Sequence, residues 1–61
     1  MKYKLVLGYD DGSGSGRLLG LTSCSFYKLA VAQDAASQWT EVPGTGRVAY
    51  LWNGSTWTLY T

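Results

Sequence analysis

Arg47 to Thr61, RVAYLWNGSTWTLYT, decides the fold. Two runs of β-branched and aromatic residues flank Asn53-Gly54, and Asn and Gly both tolerate the positive φ that a tight type I′ turn requires. The stretch therefore predicts a β-hairpin. With a two-residue loop, Trp52 faces Ser55, Tyr50 faces Trp57 and Val48 faces Leu59. A four-residue loop shifts the pairing but keeps the faces. Side chains alternate with period two, so Val48, Tyr50, Trp52, Trp57 and Leu59 share one face. Arg47, Ala49, Leu51, Thr56, Thr58 and Tyr60 share the other. The heavier, Trp-bearing face is expected to supply much of the core.

Working outward, Pro43-Gly44-Thr45-Gly46 turns the chain into this hairpin. Upstream, Ser25 to Thr40 reads as a helix, with Ser25 as N-cap. Leu29, Ala32, Ala35, Ala36 and Trp39 form one stripe along it, and its alanines favour helix. The competing reading makes Phe26 to Ala32 a third strand. At the start, Lys2 to Tyr9 alternates Tyr3, Leu5, Leu7 and Tyr9 with Lys2, Lys4, Val6 and Gly8, the pattern of a half-buried strand. Arg17 to Cys24 is a second strand. Leu19 and Leu21 are expected on one face and Leu18 and Thr22 on the other, and the interior Gly20 suggests a bulge. Between the two strands, Asp10 to Gly16 (DDGSGSG) reads as a flexible loop. The expected fold is α+β, a small antiparallel sheet with one helix in the order β-β-α-β-β. Its alternative is an all-β small barrel.

The chain has 61 residues and forms one domain, residues 1–61. A domain this small buries only about 60% of its unfolded surface and needs unusually good packing or outside help. The one cysteine, Cys24, excludes an internal disulfide and reads as a small buried thiol. With no histidine, a structural zinc site is not expected, and no cofactor is. Nine aromatics favour dense packing, while strand edges leave a homodimer open.

The net charge is +1, and Lys2, Lys4, Arg17, Lys28 and Arg47 are scattered. That is not the basic cluster of a usual nucleic-acid footprint. No run approaches the roughly 18 apolar residues of a membrane span. Met1 leads straight into strand-like residues, which is not the pattern of a signal peptide. The chain is therefore read as a complete small cytoplasmic product. Asn53-Gly54-Ser55 matches a glycosylation sequon, which means little without a secretory signal.

Catalytic signatures are absent from the pattern. The carboxylates are Asp10, Asp11, Asp34 and Glu41, with no histidine beside them. Asp10 and Asp11 lie in a Gly-rich loop, a poor place to hold acid/base geometry. Gly12 to Gly16 leads into a strand and not a helix, so it lacks the context of a phosphate loop. The protein is read as a non-enzyme.

The aromatics are too many for one small core face. If the helix covers the Trp face, Tyr60 and Leu51 are left for a partner. Tyr60, Leu51, Arg47, Tyr3, Asp10 and Asp11 are therefore the expected partner contacts, since Tyr, Trp and Arg are favoured interface anchors. A second possibility is that exposed aromatics stack on single-stranded nucleic acid, with Lys2, Lys4 and Arg47 as the cations.

Tyr50-Leu51-Trp52-Asn53-Gly54-Ser55-Thr56-Trp57, preceded by Pro43-Gly44-Thr45-Gly46, resembles a hairpin of bacteriophage tail-fibre and other virion proteins. The resemblance covers about a quarter of the chain. It implies a phage or mobile-element origin and transfers no site residue. The expectation is a small protein-binding module that occludes a surface of a larger host protein or nucleoprotein complex, as an inhibitor of host defence would. Single-stranded nucleic-acid binding, or a self-assembling virion subunit joined through edge strands, are the alternatives.

Overall fold

A computed structural model describes residues 2–61. The elements are β1 (Tyr3–Asp10), β2 (Leu18–Phe26), α1 (Leu29–Thr40), β3 (Arg47–Trp52) and β4 (Trp57–Tyr60). They form one antiparallel sheet in the order β2-β1-β3-β4, with the helix on one face. This is the expected α+β fold, not a closed barrel.

Because β1 runs antiparallel to both neighbours, β2 and β3 are parallel, and α1 is the crossover between them. Such crossovers are almost always right-handed. With this strand order the rule leaves the helix one face of the sheet. That face carries Leu5, Ala49 and Leu51, which form the buried core with Ala32 and Ala36 of the helix. Tyr3, Leu7, Phe26, Leu29, Ala35, Trp39 and Tyr60 pack around them. The helical stripe is as expected, and its alanines bring the helix backbone close to the sheet. The helix start is not. β2 continues through Ser25 to Phe26, and Lys28 stands at the N-cap with no side-chain bond to the first turn.

The hairpin corrects the expected turn. Among the described residues no non-glycine residue has positive φ, so Asn53 does not form a type I′ turn. The loop instead has four residues and pairs Trp52 with Trp57. The Asn53 side-chain oxygen accepts from the N–H groups of Ser55 and Thr56, both at 2.9 Å, and the Asn53 N–H donates to Thr56 O. Apart from Thr56, which falls in the loop, the two faces keep their members, but the helix covers the lighter one.

Gly20 (φ 64°) is the bulge. Between the pairs Leu7–Thr22 and Tyr9–Leu19, β2 spends one residue more than β1. The extra residue breaks the alternation. Leu18 and Leu21 now lie together against Gly8, where a Cβ would meet Leu21 Cδ2 at 3.0 Å and Leu18 Cβ at 3.3 Å. Leu19 falls on the other face, so the expected Leu19/Leu21 pairing does not occur. Cys24, expected buried, is half-buried and opposite Leu5.

The Asp10–Gly16 loop is held by its own side chains. Asp11 Oδ1 accepts from the Ser13 N–H at 2.9 Å and from the Ser13 hydroxyl. Ser13 Oγ lies 2.6 Å from Ser15 Oγ and accepts from the Ser15 N–H, and Ser15 Oγ accepts from the Arg17 N–H. Gly12, Gly14 and Gly16 supply the positive φ between these steps. The Ser13 bonds hold the Asp11 carboxyl below its ordinary value of 3.8. A group lowered on folding adds stability above its unfolded pKa and loses it as pH falls through the folded one. Asp11→Ala, or acidification of the native protein through the lowered Asp11 pKa, is therefore expected to reduce the protection of the Ser13 amide, exchange being taken relative to the intrinsic rate at each pH, while the strand amides stay protected. Hydrogen exchange by NMR checks this, and unchanged Ser13 protection in Asp11→Ala would refute it.

Candidate functional site

The helix-free face of the sheet is the candidate site. β1 presents Lys4, Val6, Gly8 and Asp10 there, because Leu5 and Leu7 face the core. β3 places Trp52 beside Lys4, Tyr50 beside Val6 and Val48 beside Gly8. β4 adds Trp57 opposite Trp52 and Leu59 opposite Tyr50. The bulge on β2 brings Leu18 and Leu21 to the same side. Leu21 is 61% exposed, Trp57 50% and Leu59 52%. Monomers seldom leave such a contiguous apolar face open without a use for it.

The face has two hollows. One, of about 390 Å³, is lined by Lys2, Lys4, Ser25, Trp52 and Trp57. The two indoles stand 5.5 Å apart at 50° beside it, and the Lys2 ammonium lies 5.9 Å from the Tyr27 ring centre. The other hollow, of about 470 Å³, sits at the opposite end, among Asp10, Leu18, Val48, Tyr50, Leu59 and the Pro43–Gly44 turn.

The six expected contacts fall differently. Leu51 is 1% exposed beneath the helix and is unavailable to a partner. Tyr60 and Tyr3 are half-buried and pack against the core. Arg47 stacks on Trp39, with its guanidinium carbon 4.2 Å from the ring centre. Trp39 also meets Tyr9 edge-on at 5.4 Å and offers its indole N–H to the carbonyls of Val48 (3.0 Å) and Gly8 (3.3 Å). Arg47 thus belongs to a structural cluster that closes the end of the core. Asp11 is engaged by Ser13, and of the six Asp10 alone is exposed, on the open face.

Sequence reasoning missed Tyr50, Trp52, Trp57 and Leu59 as residues of the open face because it assigned the heavier hairpin face to the interior, and missed Leu21 there because the bulge moves it. The signal that could have corrected it is β1 itself, whose apolar set Tyr3, Leu5 and Leu7 must share the helix-covered face with the neighbouring strand's residues paired to them, Leu51 and Ala49. Among the described residues no three His, Cys, Asp or Glu side chains come together as metal ligands, and no helix is long and apolar enough to cross a membrane.

Comparison with family models, curated proteins and solved structures finds no match to the chain.

Proposed function

We propose that the protein is a non-enzymatic binding module that uses the open sheet face to occlude a surface of a larger protein. The observation carrying this reading is the face itself. Val6, Leu21, Tyr50, Trp52, Trp57 and Leu59 lie side by side without a covering element, with Lys2, Lys4, Ser23 and Ser25 towards one end of the face and Asp10 at the other. An aromatic-rich apolar patch edged by polar residues has the composition of a protein contact surface. The phage resemblance of the hairpin fits an inhibitor of a host complex.

A second reading has its own support. The tilted Trp52–Trp57 pair beside Lys2 and Lys4 offers two stacking surfaces and two cations, the elements of a single-strand platform. Asp10 at the far end of the face and a net charge of only +1 weigh against a strand running its length.

Both readings meet one experiment, capture from bacterial lysate by tagged protein, with and without nuclease. The binding-module reading expects a stoichiometric protein that survives nuclease. Trp57→Ala/Leu59→Ala is expected to lose it, at a cost of at least about 2 kcal/mol for an aromatic anchor. Val31→Ala, on the exposed side of the helix, is expected to keep it. Retention by the double variant would refute the assignment of the face. A signal lost with nuclease would transfer the function to nucleic acid.

A further inference from the structure

We propose that, in the absence of a partner, the open face packs on the open face of a second copy of this chain. The strands of the two copies run antiparallel, with Lys4 of each copy over Asp10 of the other. The inference shares its face with the function proposed above but does not depend on any partner's existence.

Charge along β1 selects the arrangement. On the open face this strand reads Lys2, Lys4, Val6, Gly8, Asp10, basic at one end, acidic at the other and uncharged between. Two such faces can meet about a two-fold axis along the strands or across them. The first stacks lysine on lysine. The second lays the basic end of each copy over the acidic end of the other, and makes the contact self-complementary as an isologous dimer requires.

Relief along the face fits the same axis. Rotation across the strands keeps each strand over its own counterpart. Trp57, level with Lys4, then stands just beyond the end of the partner copy's β4, level with that copy's Asp10 and Gly46. The larger hollow opens there, between Leu59, Val48 and the Pro43–Gly44 turn. The Trp52–Trp57 ridge of each copy enters the acidic-end hollow of the other.

Area and stability favour this face over the strand edges. β2 carries the Gly20 bulge and β4 has only four residues, so both outer edges are poor templates for sheet extension. Strands of 8, 9, 6 and 4 residues cover about 430 Å² in projection, at about 3.3 Å per residue and about 4.8 Å between strands. Two such faces reach about 860 Å², the size of a weak and reversible contact, so association is expected only at micromolar concentrations and above. The monomer has reason to gain from this. Its fully buried core is Leu5, Leu51 and three alanines, and small domains without disulfide or metal commonly stabilise by association.

Sedimentation equilibrium from about 1 to 500 µM tests the proposal, a range that brackets micromolar affinity. Wild type is expected to pass from monomer to dimer across it. Lys4→Glu and Asp10→Lys are each expected to weaken the dimer at least about tenfold by placing like charges together. An equimolar mixture of the two variants restores opposite charges at both ends and is expected to return to near wild-type affinity. That recovery cannot come from a misfolded variant. A wild-type monomer at the highest concentration would overturn the proposal. A dimer that neither reversal weakens would do so too, as would a mixture that does not recover. Lysate capture, run below micromolar concentration, is read on monomer, so either result can fail without the other.

Discussion

Trp39→Ala is expected to leave the protein largely unfolded at 37 °C. A domain of 61 residues holds about 3–9 kcal/mol of stability at typical values per residue. Truncating a packed Trp costs about 3–5 kcal/mol. Trp39 is the hub of its end of the molecule. It supports Tyr9 edge-on, carries the Arg47 guanidinium on its ring and donates to carbonyls of β1 and β3. Without it the helix loses its hold on the sheet there, and Arg47, whose Nε is buried without a hydrogen-bond partner, loses the ring that shields it. Trp39→Phe keeps an aromatic surface and removes the N–H, so it is expected to cost about 1–3 kcal/mol. Urea titration followed by far-UV circular dichroism ranks the three proteins. A Trp39→Ala variant with wild-type midpoint would show that the cluster is dispensable.

The second large effect separates the two faces of one hairpin. Leu51→Ala is expected to cost about 2–5 kcal/mol, because Leu51 is enclosed by the helix and the sheet and its neighbours Ala32 and Ala36 have no side-chain length with which to fill the space. Trp57→Ala removes far more atoms but sits half in solvent. It loses chiefly its contact with Trp52, about 0.5–1.5 kcal/mol for an aromatic pair. The smaller residue is therefore expected to be the costlier loss. The same urea titration checks this, and the reverse order would place the Trp face inside. The function proposed for the open face expects the complementary pattern, with Trp57→Ala folded and impaired in binding.

Much of this protein is written locally. Alternation in Lys2 to Tyr9, the alanine-rich stripe from Leu29 to Trp39 and the glycine punctuation announce strand, helix and turns, because each is a statement about neighbouring residues. The members of each hairpin face were likewise legible, since period two is a property of the strand alone. Even the bulge at Gly20 had a local sign. Its consequence did not, because the shift of Leu18 and Leu21 onto one face depends on pairing with β1.

What the chain could not state locally is which face lies inside. By side-chain bulk, Val48, Tyr50, Trp52, Trp57 and Leu59 are the better core. Tertiary structure decides otherwise. β1 lies between β2 and β3, the crossover through α1 has one favoured hand, and the alanines of that helix fit closely over Ala49 and Leu51. Once the helix takes that side, Leu51, Tyr60, Tyr3 and Arg47 become structural and the tryptophans become surface. Periodicity along a strand sorts residues into two sets, but only the path of the chain in three dimensions tells which set meets water.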